Sequence, residues 1–180
     1  MVSHRKLVFM TMLAAQAVII SFFERFLPTP FPFAPGAKLG LGNLVSIVAI
    51  FTLPPKDSLK VVLLRLGIST FLAGSFSTFL YGFVGTWLSY GMMLVLKQLG
   101  PKRVSVIGIS VMGGVMHNVG QLIVFALIGQ SWLVLNYLPI LSFSGILSGF
   151  FVGLTGNYLL QKIKPLQEFQ EDLPDGWHIK

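Results

Sequence analysis

The residues of this sequence that could do chemistry are polar side chains embedded in long apolar stretches. His117, Asn118 and Gln121 lie within "GGVMHNVGQLIVFALIG", while Arg65 and Asn43 lie in two other apolar segments. His117 and Gln121 are four residues apart, so they share one face of a helix. An imidazole, a guanidinium and several amides together suit a small ligand with anionic or heteroaromatic character. We therefore predict that this set binds a ligand in a polar cavity.

Each of these residues also has a simpler structural interpretation. Asn118 or Gln121 alone is more often a hydrogen-bonding link between membrane helices than a ligand group. His117 alone could be a satisfied core histidine. Arg65 could extend its charged end to the membrane surface, although it lies about 12 Å along its helix from the cytoplasmic start. The binding hypothesis depends on the whole set converging.

Composition identifies the solvent in which these side chains must lie. Of the 180 residues 54% are hydrophobic and 11% are charged, against about 25% charged in soluble domains. This deficit predicts an integral membrane protein. The net charge of +7 is explained by basic residues at cytoplasmic helix ends, so we expect no nucleic-acid partner. The chain has no cysteine, and we expect no metal and no cofactor.

Apolar segments of nearly the right length predict six transmembrane helices, an all-α bundle. Basic residues flank the first span on its N-terminal side, the second and fourth connections, and the end of the sixth span, which places both termini in the cytoplasm. We predict a membrane domain over residues 1–164 and a polar cytoplasmic tail over residues 165–180. The predicted spans are 6–27, 39–54, 57–73, 75–97, 104–129 and 132–161.

Small residues at four-residue spacing predict how two of these helices pack. Gly145, Gly149 and Gly153 repeat in the sixth span, and Gly74, Thr78 and Gly82 repeat in the fourth. Small residues at this spacing allow helix backbones to approach closely in lipid. We interpret both faces as packing surfaces.

The sequence argues against catalysis. A polyprenyl diphosphate synthase needs paired aspartate-rich motifs to hold magnesium and diphosphate. The only aspartates are Asp57, Asp172 and Asp175, and none is clustered within a span. A phosphate-binding G-x-x-x-x-G-K-[ST] loop is missing from the sequence, and no acid accompanies His117 in the membrane. We therefore expect a protein that is not an enzyme.

A proline-rich, apolar loop precedes Asn43 in the sequence. Residues Pro28 to Lys38 contain several prolines, which prevent a regular helix, and their phenylalanines need something to pack on. We predict that this loop forms a lid over the outer mouth of the bundle, with Lys38 contributing to the site. The alternative is a loop that rests in the membrane interface.

Three motifs resemble a known family: "LAAQAVIISFFER", "FPFAPGAKLGLGN" and "GGVMHNVGQLIVFALIG". They resemble the Gx transporter, or heptaprenyl diphosphate synthase component I, family over about residues 5 to 162. That family is similar to the S-components of energy-coupling factor (ECF) transporters, which are six-helix proteins of about this size.

The resemblance implies a mechanism and partners. An S-component binds a vitamin-like molecule from outside and topples in the membrane on a coupling protein driven by two cytoplasmic ATPase subunits. Its first helix offers small residues to the coupling protein, which implies a contact through Thr11, Ala14, Ala15 and Val18. The implied location is the bacterial cytoplasmic membrane.

From these observations we predict the substrate-binding S-component of an ECF-type transporter, capturing a flavin or a related aromatic or anionic compound. One alternative is a membrane accessory subunit associated with polyprenyl (heptaprenyl) diphosphate or quinone synthesis. Another is a structural subunit whose polar groups only link helices. The predicted ligand-binding residues are Lys38, Asn43, Arg65, His117, Asn118 and Gln121.

Overall fold

Long apolar stretches form helices in lipid because a helix satisfies its backbone hydrogen bonds within one segment. The computed structural model describes residues 4–26, 40–73, 76–173, 177 and 179, and within these ranges it contains helices and no strand. The all-α prediction is therefore confirmed for the described part of the chain. The helices are α1 His4–Phe23, α2 Asn43–Thr52, α3 Pro55–Ala73, α4 Phe76–Lys97, α5 Val106–Ile128, α6 Leu138–Lys162 and α7 Lys164–Glu171, with short 3-10 turns at Glu24–Phe26 and Trp132–Tyr137.

Four helical segments among the described residues are long and apolar enough to cross a membrane. They are α1, α4, α5 and the segment Trp132–Lys162 that contains α6. Their bounds lie close to those predicted for the first, fourth, fifth and sixth spans. These four segments indicate a multi-pass membrane protein.

The second predicted span differs from the structure. The apolar run forms the 10-residue helix α2, which is about 15 Å long at 1.5 Å per residue and too short to cross a hydrocarbon core of about 30 Å. Nine of its residues are buried, and the main apolar cluster surrounds it. An uncharged apolar run has the same appearance whether lipid or protein covers it, so its sequence alone did not reveal a buried half-length helix.

The third predicted span is α3, which begins earlier than expected. Its first residue is Pro55, because proline lacks the N–H that a helix leaves unpaired in its first turn. Asp57 and Ser58 therefore lie inside the first turn and do not cap it. Ser58 instead shares a hydrogen bond of 2.7 Å with the Tyr90 hydroxyl on α4.

The glycine face predicted for α6 is confirmed as a packing surface. A Cβ added to Gly149 would lie 2.7 Å from Ser110 O and from Val111 Cα on α5, and one added to Gly145 would lie 2.8 Å from Gly114 O. These distances mean that the two backbones touch, as small residues allow in lipid. Such close contact fixes the position of α5 relative to α6.

The close contact between α4 and α5 uses different glycines from those predicted. A Cβ on Gly120 would lie 2.7 Å from Gly85 Cα, whereas one on Gly82 would meet nothing closer than Leu66 Cδ2 at 3.9 Å. The prediction for Gly82 as a tight packing position is therefore wrong. Gly74 lies outside the described residues.

One end of the bundle collects basic residues and is called the basic end below. Lys6 pairs with Asp57, Arg5 pairs with Glu168 of α7, and the Lys97 ammonium donates to Ile50 O at 2.6 Å near the end of α2. The segment predicted as a polar tail folds back onto this end. Trp177 is buried, stacks edge-on against Phe51 with centroids 4.9 Å apart, and donates to Lys97 O at 3.1 Å.

Candidate functional site

The start of α2 lies inside the bundle, far from the basic end. A turn of Gly40, Leu41 and Gly42 leads into the helix, with Asn43 N donating to Gly40 O at 2.8 Å. The other end of α2 is held by Lys97 at the basic end, and ten residues at 1.5 Å each place the first residue of α2 about 15 Å from that end. Gly40 and Gly42 are buried, so the turn presents backbone N–H groups inside the bundle.

A carboxylate from α1 satisfies these N–H groups. Glu24 lies in the 3-10 turn after α1, is 5% exposed, and accepts hydrogen bonds through Oε1 from Gly40 N at 2.5 Å and Leu41 N at 3.1 Å. The residue that precedes the helix, Gly42, has no side chain to cap it. Glu24 therefore supplies the negative charge that the start of a helix favours.

A buried guanidinium lies beside the same turn. Arg65 of α3 is 6% exposed and its Nη2 donates to Thr86 Oγ1 on α4 at 3.0 Å. A Cβ on Gly42 would overlap Arg65 Nη1, so a larger residue there would push the guanidinium out of its present position. Arg65 and Glu24 line the same small cavity, so a buried positive group and a buried negative group lie near each other within an apolar bundle.

His117 is held between the turn and α4. Gly40 has φ +86°, which favours glycine, and a Cβ there would lie 3.0 Å from His117 Cδ2 and 3.1 Å from Asn43 Nδ2. On the other side, a Cβ on Gly85 would lie 3.0 Å from His117 Nδ1. Two glycines therefore make room for the imidazole. Arg65 and His117 line one small cavity, and Asn43 lies next to it beside Gly40.

Asn118 and Gln121, two further predicted ligand residues, do not line the cavity at this site. Asn118 donates from Nδ2 to Leu141 O on α6 at 2.8 Å, which is the interhelical link considered above. Gln121 is buried one turn beyond His117 and is absent from the described lining of the cavity at the site. Lys38 and the predicted lid lie outside the described residues.

The cavity at this site is small. Its volume of about 30 Å³ accommodates one or two water molecules, whereas pockets for drug-sized ligands measure about 300–1,000 Å³. The site in this conformation is a compact polar cluster, not the open chamber that a vitamin would need. A larger ligand requires its side chains to move. The described lining comprises Ser21, Glu24, Gly40, Gly42, Arg65, Leu66, Ser69, Gly82, Thr86 and His117.

The predicted contact surface on α1 divides into two parts. Thr11 and Ala15 are exposed, and Val18 is half-buried. Ala14 is only 1% exposed, so it belongs to the bundle interior and is not available to a partner. Any partner that docks on α1 therefore meets the face that carries Thr11 and Ala15.

Glu24 was not among the predicted ligand residues, yet the structure places it within the cluster. The sequence did contain an indication that Glu24 belongs to the site. Glu24 is the only acidic residue among the first 56, and a buried arginine such as Arg65 is less costly with a carboxylate near it. No comparable feature of the sequence indicated the other polar residues that line the cavity, which are Ser21, Ser69 and Thr86.

Comparison with known proteins gives one match. The family model described as heptaprenyl diphosphate synthase component I matches residues 13–159, which is 147 of the 180 residues (159 − 13 + 1). No curated protein and no solved structure matches the chain. The matched range contains the whole polar cluster, from Ser21 to His117. The chain therefore belongs to the heptaprenyl diphosphate synthase component I family.

Proposed function

We propose that the chain is a non-catalytic membrane subunit that binds an anionic molecule and acts with a separate prenyl diphosphate synthase chain. The observation that carries this proposal is the family match over residues 13–159, whose description names a synthase component. The match supports the accessory-subunit alternative better than the transporter prediction.

The chemistry of the chain supports binding without catalysis. Of its three aspartates, Asp57 is engaged by Lys6 and Lys60 at the basic end, and Asp172 and Asp175 follow α7. The aspartate pairs that hold magnesium and diphosphate in a synthase must then come from another chain. The Arg65 cluster has the composition expected for holding a charged group: a guanidinium, backbone N–H groups and an imidazole.

Copurification tests this proposal. We expect the affinity-tagged chain, extracted from native membranes in mild detergent, to retain a soluble partner whose sequence carries two aspartate-rich motifs. Untagged membranes processed in parallel provide the control. Recovery of the chain without any such partner, under conditions that preserve other membrane complexes, would contradict the accessory role.

A second candidate function is the S-component of an ECF-type transporter in the bacterial cytoplasmic membrane. It is favoured by the half-length helix α2, because transporters place binding sites where a helix starts near the middle of the membrane. In this arrangement α2 and α3 complete six helices with the four apolar spans. The basic end then faces the cytoplasm, together with both termini. Copurification of a membrane coupling protein and two ATPases would favour this function over the first.

The exposed face of α1 offers a sharper test of the transporter function. We expect Ala15→Leu to abolish copurification of a coupling protein while leaving the melting temperature within about 2 °C of the wild type, because Ala15 faces outward and close helix contacts need small residues. Thr155→Leu, on the exposed side of α6, is the matched control. Ala14→Leu is unsuitable because Ala14 is buried. Normal assembly of the Ala15→Leu protein would argue against docking through this face.

A further inference from the structure

The Glu24 carboxylate occupies a cradle that would suit the anionic group of a ligand. The cradle consists of Gly40 N and Leu41 N, which both donate to Glu24 Oε1. The Arg65 guanidinium lies against Gly42 and lines the same cavity as Glu24, without a direct bond to its carboxylate. Two backbone donors and a guanidinium form a typical site for a carboxylate or a phosphate. The present occupant is a side chain of the protein itself.

A second observation at this site points to a ligand. Asn43 is 3% exposed and its Nδ2 lies beside Gly40, yet its Oδ1 has no hydrogen-bond partner. A buried acceptor without a partner is costly and is explained when an N–H or O–H donor of a bound molecule satisfies it. The turn at Gly40 therefore carries both a cradle for an anionic group and, at Asn43, a buried acceptor without a protein donor.

We infer that Glu24 holds the place of this anionic group and leaves the cradle when a small carboxylate or phosphate compound binds. The inference rests on the proposed function, in which the subunit binds an anionic molecule. It also explains why the cavity has room for only one or two waters, since the Glu24 side chain fills the space that the ligand group would take.

The local structure allows Glu24 to move without disrupting the bundle. Glu24 lies in a three-residue 3-10 turn beyond the end of α1, and Phe26 at the end of that turn is 73% exposed. The helix itself is fixed by buried residues further back, including Leu13 and Ala17. Glu24 therefore exchanges with a ligand by rearrangement of one short turn.

Chemical rescue tests the inference. Glu24→Ala removes the carboxylate and leaves the two N–H groups and Arg65 without an anion. We expect the melting temperature of the purified Glu24→Ala protein to fall below that of the wild type, and acetate or formate to raise it saturably by about 3 °C. Sodium chloride at equal ionic strength is the control for screening. Inorganic phosphate forms a separate arm that distinguishes a phosphate-binding cradle from a carboxylate-binding one.

Two further variants keep the test decisive. Glu24→Gln still fills the cradle, so we expect little rescue by acetate, and Glu24→Ala combined with Arg65→Met removes the cation, so we expect none. If the Glu24→Ala protein is too unstable to purify, its yield from membranes solubilised in acetate compared with chloride gives the same readout. Equal effects of acetate and chloride, or rescue that persists without Arg65, would overturn the inference. Failure to copurify a synthase would remove the proposed role but leave this result unaffected.

Discussion

Replacing Gly149 with leucine is expected to prevent the protein from folding. A Cβ at this position would lie 2.7 Å from Ser110 O and from Val111 Cα. Both atoms belong to the backbone of α5, which cannot move aside as a flexible side chain can. We therefore expect a loss of stability greater than the roughly 1–3 kcal/mol of ordinary overpacking, measured as the yield of monodisperse protein after detergent extraction.

Gly67→Leu is the matched control for this variant. Gly67 lies on the exposed side of α3, and a Cβ there meets no atom within 4 Å. The same substitution should therefore leave the yield near the wild-type value, with a small gain because leucine favours a helix more than glycine does. Equal yields of the two variants would contradict the backbone contact between α5 and α6.

Replacing Arg65 with methionine is expected to cost about 1–3 kcal/mol of unfolding free energy, because it removes the charged donor of Thr86 Oγ1. It also removes the positive charge that lines the same cavity as the Glu24 carboxylate. Arg65→Lys should fall between the wild type and methionine, since an ammonium lacks the planar fork of a guanidinium. The measurement is denaturant or thermal unfolding of the purified variants in the same detergent.

A double-mutant cycle isolates the electrostatic part of this effect. Glu24→Gln combined with Arg65→Met removes both charges, so the double variant should be more stable than Arg65→Met alone by at least about 1 kcal/mol. Additive effects of the two single substitutions would mean that Arg65 stabilises the bundle through Thr86 and packing alone.

Much of the helical framework was predictable from the sequence, for a physical reason. A segment that crosses lipid must be long, apolar and helical, and α4 and α5 satisfy these conditions within a residue or two of their predicted bounds. Conversely, α2 was mistaken for a span because its lack of charge is equally compatible with a protein interior. Helix α7 and the burial of Trp177 were missed because a polar segment reveals its packing only through the surface it meets.

The candidate site was only partly predictable. Costly polar residues in apolar helices identified Asn43, Arg65 and His117, which do converge. Adjacent residues on a helix point about 100° apart, so Asn118 faces α6 while its neighbour His117 faces the turn before α2. Sequence spacing could not assign Glu24, because its partners are backbone N–H groups 16 and 17 residues further along the chain.

Helix α2 links the candidate site to the basic end of the bundle. Glu24 satisfies N–H groups of the turn that leads into the helix, and Lys97 donates to Ile50 O near its last turn. Opposite charges thus complement the dipole of a helix that ends within the bundle. Phe51 of α2 also packs on Trp177, so α2 contacts both the candidate site and the basic end.

The central claim is that the cluster at the start of α2 binds a small anionic molecule. The most direct measurement is mass spectrometry of the small molecules released from three proteins purified identically in mild detergent: the wild type, Glu24→Ala, and Glu24→Ala combined with Arg65→Met. We predict that one anionic compound is enriched with the wild type, is at least equally abundant with Glu24→Ala, whose cradle is empty, and is lost from the double variant. Equal recovery from the folded double variant, or no enriched anion from any of the three, would contradict the account.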